Sequence, residues 1–571
     1  MLKIPESMPT SSVRFKFIDI LVFAFIIAGL SLVVYVASGW RYEMQPGVQI
    51  SLDPLNIPLY AVNSLVRIFL AYCLSLAFAI WYGYTANRSR LHERVMVPVL
   101  DILQSIPVLS FLPGVTLAMV ALFPGRRLGV ELASILLIFT GQVWNMAFSY
   151  FNSINTLPRE LTEVTQMYRH SRFTKFLKLD LPFSAIGLVW NSMMSVAGGW
   201  FFLMACEMFM LKDRDFRLPG LGSYIQTAAN QGDIRSVLYG IGTMVFLIIL
   251  LDLILWRPIV AWSQKFRFDT VQAEEERESL VLTLLRKSEL ANSIVHFRDR
   301  LINRIEASLA GKEPVKKKER QGTLRRAFSV LMTLASFIFL GWALMKGVLF
   351  FGGISPADYL RVIEAAFYSL MRTSAALVIA SLWTVPLGVY IGLNPRASRL
   401  VLPVVQVIAS VPATAVFPVI LLFLIQLGGG LTVGSVFLML LGTQWYILFN
   451  VIAGASAIPQ DLKEVARLYG LRGWRKWKIL ILPGIFPYLI TGLITATGGA
   501  WNASIVSEYV TFGGNTISTP GLGSLISEST VSGNFGLLLV STLCMALIVV
   551  SINRLLWKRL FVLAQEKYRL E

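Results

Sequence analysis

Apolar runs long enough to cross a bilayer alternate along this chain with short polar connections, and the alternation goes through two cycles. In the first cycle the runs are about Phe17–Val36, Leu59–Tyr84, Val95–Phe123, Leu128–Tyr150, Phe183–Met210 and Val237–Trp256. After a hydrophilic block they resume at about Ala327–Phe350, Ala365–Leu393, Leu400–Leu427, Leu431–Ala453, Gly484–Val510 and Phe535–Trp557. About 20 apolar residues in a helix span the hydrocarbon core, so each run predicts one crossing. The pattern predicts an all-α polytopic membrane protein of about twelve transmembrane helices in two six-helix repeats. Each set crosses an even number of times, so the repeats run parallel, related by an axis along the membrane normal.

The divisions follow: a first repeat at 1–262 (core 63–257), a charged linker at 263–326, and a second repeat at 327–571 (core 368–557). The linker carries the acidic run Glu274, Glu275, Glu276, Arg277, Glu278 and the basic run Lys316, Lys317, Lys318, Glu319, Arg320. A block this charged resists translocation and is expected inside, as a tether whose Lys316–Arg326 tract can also meet anionic lipid. The run Phe17–Val36 is too long for a signal-peptide core and reads as an uncleaved span, with both termini cytoplasmic.

The repetition extends to individual residues. Pro158 to Pro182, PRELTEVTQMYRHSRFTKFLKLDLP, aligns without a gap to Pro459 to Pro483, PQDLKEVARLYGLRGWRKWKILILP; Pro158 and Pro459, Glu163 and Glu464, Tyr168 and Tyr469 each stand 301 positions apart. Before the turn between the third and fourth runs the offset is 305, pairing Pro107 with Pro412 and Pro113 with Pro418. Further on, Trp200 answers Trp501, Glu207 answers Glu508, and a Pro-Gly-Leu-Gly follows each, at Pro219 and Pro520.

Composition then fixes the class. With 55% hydrophobic and 15% charged residues, the chain is too apolar for a soluble protein of its length. The net charge of +18 sits in short loops such as Arg88, Arg90 and Arg94, and Arg396 and Arg399, so it reports orientation and not a nucleic-acid partner. Cys73, Cys206 and Cys544 show no paired or metal-ligand spacing. His92, His170 and His296 stand alone, and no Gly-x-x-x-x-Gly-Lys-Ser/Thr loop occurs anywhere, so neither a metal site nor a nucleotide-binding loop is predicted and no enzyme active site is expected.

Charges inside apolar runs need partners, because a lone charge at mid-bilayer costs roughly 2.5–3.5 kcal/mol on insertion scales. Arg67 with Glu207 and Arg372 with Glu508 lie at matching depths and are expected to pair, one pair per repeat. On the residues alone two roles stand for them: bracing each repeat, or meeting an anionic solute. Pro107 and Pro412, flanked by Ser105 and Ser110 and by Ser410 and Thr414, are broken-helix signals that make the third and ninth spans candidates for lining a pathway, with simple kinks as the alternative.

The long hydrophilic repeat resembles the EAA loop of permease subunits of ATP-binding-cassette importers, carried by Glu464, Ala466, Gly470, Leu482 and Pro483. Ser64 to Arg67, Ser369 to Arg372, the tryptophan–glutamate pairs and the Gly-Leu-Gly turns are similar to the nitrate/sulfonate/taurine branch. The resemblance implies a type I importer permease fold in the plasma (inner) membrane. Here it is fused in tandem, whereas members of that branch are usually single-domain permeases that dimerise.

The resemblance also implies partners. Two cytoplasmic ATPase subunits would hold ATP and Mg, with no cofactor on this chain, and an extracytoplasmic binding protein would deliver a small solute such as an oxyanion. The ATPases would dock on Glu163, Tyr168 and Arg169 in one loop and on Glu464, Ala466, Tyr469 and Gly470 in the other, with Leu471, Trp474, Trp477 and Ile479 as apolar contacts. Glu464 near a helix start would complement the helix dipole, and Gly470 would turn the chain at positive φ. Arg169 and Thr165 stand where Gly470 and Ala466 would be, so the first loop is degenerate. A solvated, topology-fixing basic loop is the plainer reading of either segment. A major-facilitator-like secondary transporter also has twelve spans and a charged central linker, but its repeated signature would follow the second and eighth spans.

Overall fold

The computed structural model describes residues 49–266 and 354–567, apart from 169–171, 212–213, 427–429 and 513–514, with a few isolated positions elsewhere. The first and seventh expected spans, Arg169 and nearly all of the linker lie outside the described residues. In lipid every backbone N–H and C=O must find a partner within its own segment, and long apolar stretches of this chain accordingly form helices.

In the first repeat these are α1 (Ile57–Ala86), α2 (Arg90–Ser105), α3 (Leu112–Leu122), α4 (Arg127–Asn155), α5 (Arg159–Met167), α6 (Arg172–Lys175), α7 (Leu181–Glu207), α8 (Leu221–Asn230), α9 (Ile234–Leu251) and α10 (Arg257–Ser263). In the second they are α11 (Pro356–Leu393), α12 (Pro395–Ser410), α13 (Ala413–Gln426), α14 (Gly430–Ala457), α15 (Gln460–Leu468), α16 (Gly473–Lys476), α17 (Leu482–Ser507), α18 (Leu522–Ser532), α19 (Phe535–Ile552) and α20 (Lys558–Lys567). Among the described residues, eight helical segments are long and apolar enough to cross a membrane: 54–86, 127–155, 173–207, 234–263, 356–393, 430–457, 473–507 and 535–564.

The expected third and ninth spans, 95–123 and 400–427, are not single helices. α2 stops at Ser105 and the chain is extended at Ile106 (ψ 127°) and Pro107 (ψ 121°), before a 3-10 turn at Val108–Phe111 and then α3. α12 stops at Ser410, Val411 is extended (ψ 119°), and α13 starts at Ala413. The residue before a proline is pushed out of the helical region, which places both breaks. Not every proline breaks its helix: Pro98 lies within α2 and Pro386 within α11.

Among the described residues, two short antiparallel hairpins interrupt the helices, Met210–Leu211 with Arg214–Asp215 and Tyr509–Phe512 with Asn515–Ser518. They close the polar connection after α7 and after α17, where an all-α reading expects plain loops. Four helices also contain a wide five-residue π turn at repeated positions: Phe176–Asp180 and Trp477–Ile481, Asp252–Trp256 and Asn553–Trp557.

The chain divides into two compact units, one of Met1–Gly39, Ser149–Asn191 and Leu250–Ala327, the other of Trp40–Phe148, Ser192–Ile249 and Phe328–Glu571. In the first, Gly187 of α7 lies against Ser149 and Ser153 of α4, so close that a Cβ there would stand 2.7 Å from the Ser149 hydroxyl. The larger unit has its core where α14 lies along α11 and α17, around Ala380, Val389, Ile447, Val451, Ala455, Ile485 and Ala496. Small residues permit the approach: a Cβ on Gly392 would stand 2.6 Å from the Ile452 carbonyl. Close backbone contact of this kind is how membrane helices associate without a hydrophobic driving force.

Candidate functional site

Each repeat holds the same buried polar lock within the larger unit. In the first, Arg67 of α1 donates from Nη1 to Glu207 Oε1 at 2.7 Å and to the Pro219 carbonyl at 3.0 Å. Ser64, one turn earlier on α1, donates to Glu207 Oε1 at 2.7 Å and accepts from Leu221 N–H at 3.0 Å. Gly222 N–H donates to Glu207 Oε2 at 2.7 Å, and Leu218 N–H to the Glu207 carbonyl at 3.0 Å. A carboxylate at the end of α7 thus holds the start of α8 through backbone amides, with α1 supplying the guanidinium and hydroxyl.

The second lock reproduces it contact for contact. Arg372 Nη1 meets Glu508 Oε1 at 3.1 Å and the Pro520 carbonyl at 2.6 Å. Ser369 donates to Glu508 at 2.7 Å and accepts from Leu522 N–H at 2.8 Å, while Gly523 N–H reaches Glu508 Oε2 at 2.8 Å. The Pro-Gly-Leu-Gly turns exist for this contact. A Cβ at Gly220 would lie 2.2 Å from Glu207 Oε1, and one at Gly521 would lie 2.1 Å from Glu508 Oε2.

The locks differ on the far side of the arginine. Arg67 is gripped at two points by Glu131 of α4, with Nε 2.6 Å from Oε2 and Nη2 2.9 Å from Oε1, and Arg127 also reaches Glu131 at 3.0 Å. The position equivalent to Glu131 is Thr432. There Arg372 Nη2 donates to Thr519 Oγ1 at 2.9 Å, and Thr519 lies 3.2 Å from Thr432 Oγ1. The first lock therefore balances two cations against two carboxylates, the second one against one. Pairing by the repeat offset hides Glu131, because its counterpart carries no charge. The signal that marks it is an acid in an apolar run four residues after Arg127, the spacing of a helical ion pair.

Arg67, Glu131, Glu207 and Glu508 are completely buried and Arg372 is 7% exposed. The two expected pairs form, Arg67 with Glu207 and Arg372 with Glu508, and each arginine also reaches a backbone carbonyl, of Pro219 or Pro520. Trp200 and Trp501 are likewise buried, at 2% and 1% exposure, in α7 and α17. Pro107 and Pro412 are buried at the two helix breaks.

The second hydrophilic repeat forms α15, a turn and α16. Gly470 has φ +61°, its N–H bonds the Arg467 carbonyl at 3.0 Å, and Leu471 N–H returns to the Ala466 carbonyl at 2.9 Å, a glycine-terminated helix end. Ala466 is buried, whereas Val465, Leu468, Tyr469, Trp474 and Ile479 are exposed, Leu468 and Tyr469 at 84% and 80%. Two expectations change here. Trp477 is half-buried, packing on the chain's own core around Ile481 and Ile485, so only part of it faces outward. Glu464 is exposed but lies beyond the first turn of α15, so the acid that meets the helix dipole is Asp461.

In the other unit, α5 presents the same face: Val164, Met167 and Tyr168 are exposed at the positions of Val465, Leu468 and Tyr469, Glu163 is exposed, and Glu160 is the first-turn acid. In the second loop, burial and the neighbouring Lys476 ammonium push the Lys463 amine below its ordinary range.

Set against known proteins, residues 73–256 and 384–557 each match the model of the binding-protein-dependent transport system inner membrane component, together more than half of the chain. The nitrate import permease protein NrtB of Leptolyngbya laminosa is 27% identical over 187 residues, 33% of this chain and 63% of that protein. The bicarbonate transport system permease protein CmpB of Synechococcus elongatus is 28% identical over 162 residues, 28% of this chain and 55% of that protein. The taurine transport system permease protein TauC of Escherichia coli is 27% identical over 161 residues, 28% and 55% of the two chains. The chain thus spans between half and two thirds of the length of these relatives, which are transport permeases and not enzymes. With two such domains in tandem and helices fit to cross a membrane many times, the chain belongs to the family of binding-protein-dependent transport system inner membrane components.

Proposed function

We propose that this chain is the membrane-spanning permease of an ATP-driven importer, a single polypeptide supplying both halves of the translocation pathway. The observation that carries the reading is the duplication of two devices together. Each repeat has its own buried lock, and each has its own exposed helix bearing the triplet Val164, Met167, Tyr168 or Val465, Leu468, Tyr469. A polar helix that leaves two large apolar residues and a tyrosine uncovered is built for a partner. Two equivalent copies fit two ATPase subunits on the cytoplasmic side, where both termini also lie. ATP and Mg belong to those subunits. The exposed cations of the loop, with the Lys463 charge disfavoured where it stands, suit a cleft that supplies carboxylates.

The solute is a small one, of the nitrate, bicarbonate or sulfonate kind named for the relatives, delivered by an extracytoplasmic binding protein. Since the buried arginines are committed to their locks, they brace the halves and leave solute recognition to other groups. The test is reconstitution in proteoliposomes with and without a candidate ATPase subunit. ATP-dependent uptake of nitrate, bicarbonate or taurine that disappears when Leu468 and Tyr469 are both replaced by Asp supports the reading. Uptake without an ATPase refutes it.

A further inference from the structure

The two helix breaks look alike in sequence but are held differently. After Pro107 the chain re-enters a helical turn at Val108, whose N–H, like those of any first turn, has no partner within the helix. It donates instead to Asn502 Oδ1 at 2.8 Å, across from the first repeat to α17 of the second. Asn502 is fixed for this task, because its Nδ2 donates to the Gly498 carbonyl one turn back at 3.0 Å and leaves Oδ1 aimed at the break. Val108 is buried at 6% exposure, so the bond is shielded from competing water.

The reciprocal contact cannot form. The break after Pro412 re-enters helix at Ala413, the counterpart of Val108, and the residue equivalent to Asn502 is Phe201. A phenyl ring has no acceptor. Phe201 packs instead among Ala376, Met439 and Ala503 of the second repeat. One crossing between the halves is therefore a directed hydrogen bond and the other an apolar contact.

We propose that Asn502 is a positioning residue that latches the split helix of the first repeat to the second repeat, on one side of the molecule only. The inference rests on the permease reading, since it gives the latch its role: any movement of the first broken helix past α17 has to break this bond, while at the second break the place of Asn502 is taken by Phe201. Opening between the halves is accordingly unequal, with the latched side holding the conformation described here.

The test uses the full-length protein in nanodiscs with its ATPase. Hydrogen exchange at the Val108 amide is expected to quicken at least tenfold in Asn502→Leu, with exchange in the core helix α14 unchanged. Val108→Pro removes the donor at a position where proline suits the first helical turn. It is expected to lower the solute moved per ATP by the same factor as Asn502→Leu, and the double variant to do no worse than either single one. Unchanged exchange at Val108 in Asn502→Leu overturns the latch. So do additive losses in the double variant, which would mean the two residues act separately. Should Asn502→Leu fail to assemble, Val108→Pro alone decides: a wild-type transport-to-hydrolysis ratio in it overturns the proposal. If the wild-type complex moves no solute on ATP, the permease reading falls, while the exchange measurement still tells whether the bond exists.

Discussion

Removing the lock carboxylates one at a time should hurt the two repeats unequally. Replacing Glu207 or Glu508 by Leu orphans the same neutral groups, a serine hydroxyl and a glycine amide, at about 1–3 kcal/mol for each buried group left without a partner. The guanidiniums fare differently. Without Glu207, Arg67 keeps both bonds to Glu131, at 2.6 and 2.9 Å, and the Pro219 carbonyl. Without Glu508, Arg372 keeps no carboxylate among its described partners, which are the neutral Pro520 carbonyl, the Thr519 hydroxyl and the Tyr368 ring 5.9 Å away. Breaking a buried ion pair and leaving one charge behind costs about 3–5 kcal/mol. Glu508→Leu should therefore be the more destabilising by on the order of 3 kcal/mol. Replacing both partners, as Arg372→Met with Glu508→Leu, should restore most of the charge term, because no buried cation remains. The assay is unfolding of the purified protein by sodium dodecyl sulfate, followed by tryptophan fluorescence. Equal midpoints for Glu207→Leu and Glu508→Leu, or a double variant no better than Glu508→Leu, would refute the reasoning.

Three further outcomes are expected. Gly523→Ala would set a Cβ 2.3 Å from the backbone carbonyl of Ser504 and Gly521→Ala one 2.1 Å from the pinned Glu508 Oε2, so both should lose folded protein in a yield and thermal-melt comparison, whereas Gly498→Ala, with no neighbour within 4 Å, should not. Gly470→Val meets no neighbour within 4 Å yet forces a β-branched residue to φ +61°, a strain of about 1–2 kcal/mol; it should lower transport per ATP hydrolysed, while Arg169→Gly should not. Asp233 caps α9, accepting from the Ser236 hydroxyl at 2.6 Å and from two backbone amides, and these bonds hold its carboxyl below the ordinary value. A depressed folded pKa stabilises above the unfolded value, and that stability is lost as pH falls through the folded one. The wild type should therefore lose its advantage over Asp233→Asn only below about pH 4, read from melts across pH. Equal pH dependence of the two proteins would refute it. The second repeat has Asn534 at this place, a neutral cap for Leu537 N–H, and should show no such dependence.

Much of this architecture is legible in the residues because the chain states it twice. Hydropathy finds the long helices, and matched positions find Arg67, Glu207, Arg372 and Glu508. The same method fails where the copies diverge. Glu131 answers Thr432, so a search for agreement passes over it; Asn502 answers Phe201 and is legible only as a polar residue in an apolar span, of the kind that bonds a neighbouring helix. The breaks at Pro107 and Pro412 are readable, but Pro98 and Pro386 carry the same signal and stay inside helices, because the neighbouring helices decide which freed carbonyls can be satisfied. The hairpins after α7 and α17 escape a hydropathy reading since four or fewer residues per strand leave no periodicity to detect.

The wide turns at Phe176–Asp180 and Trp477–Ile481 have a consequence for which way the coil faces on either side of them. One surplus residue in a coil of 3.6 per turn rotates whatever precedes it by about 100° against whatever follows. In the second repeat, Trp474 before that turn looks outward while Ile481 at its end is packed inside, although the two stand almost two full turns apart. The winding is thus offset at that point, and the outward side of the short stretch and the inward side of the long one belong to a single unbroken coil.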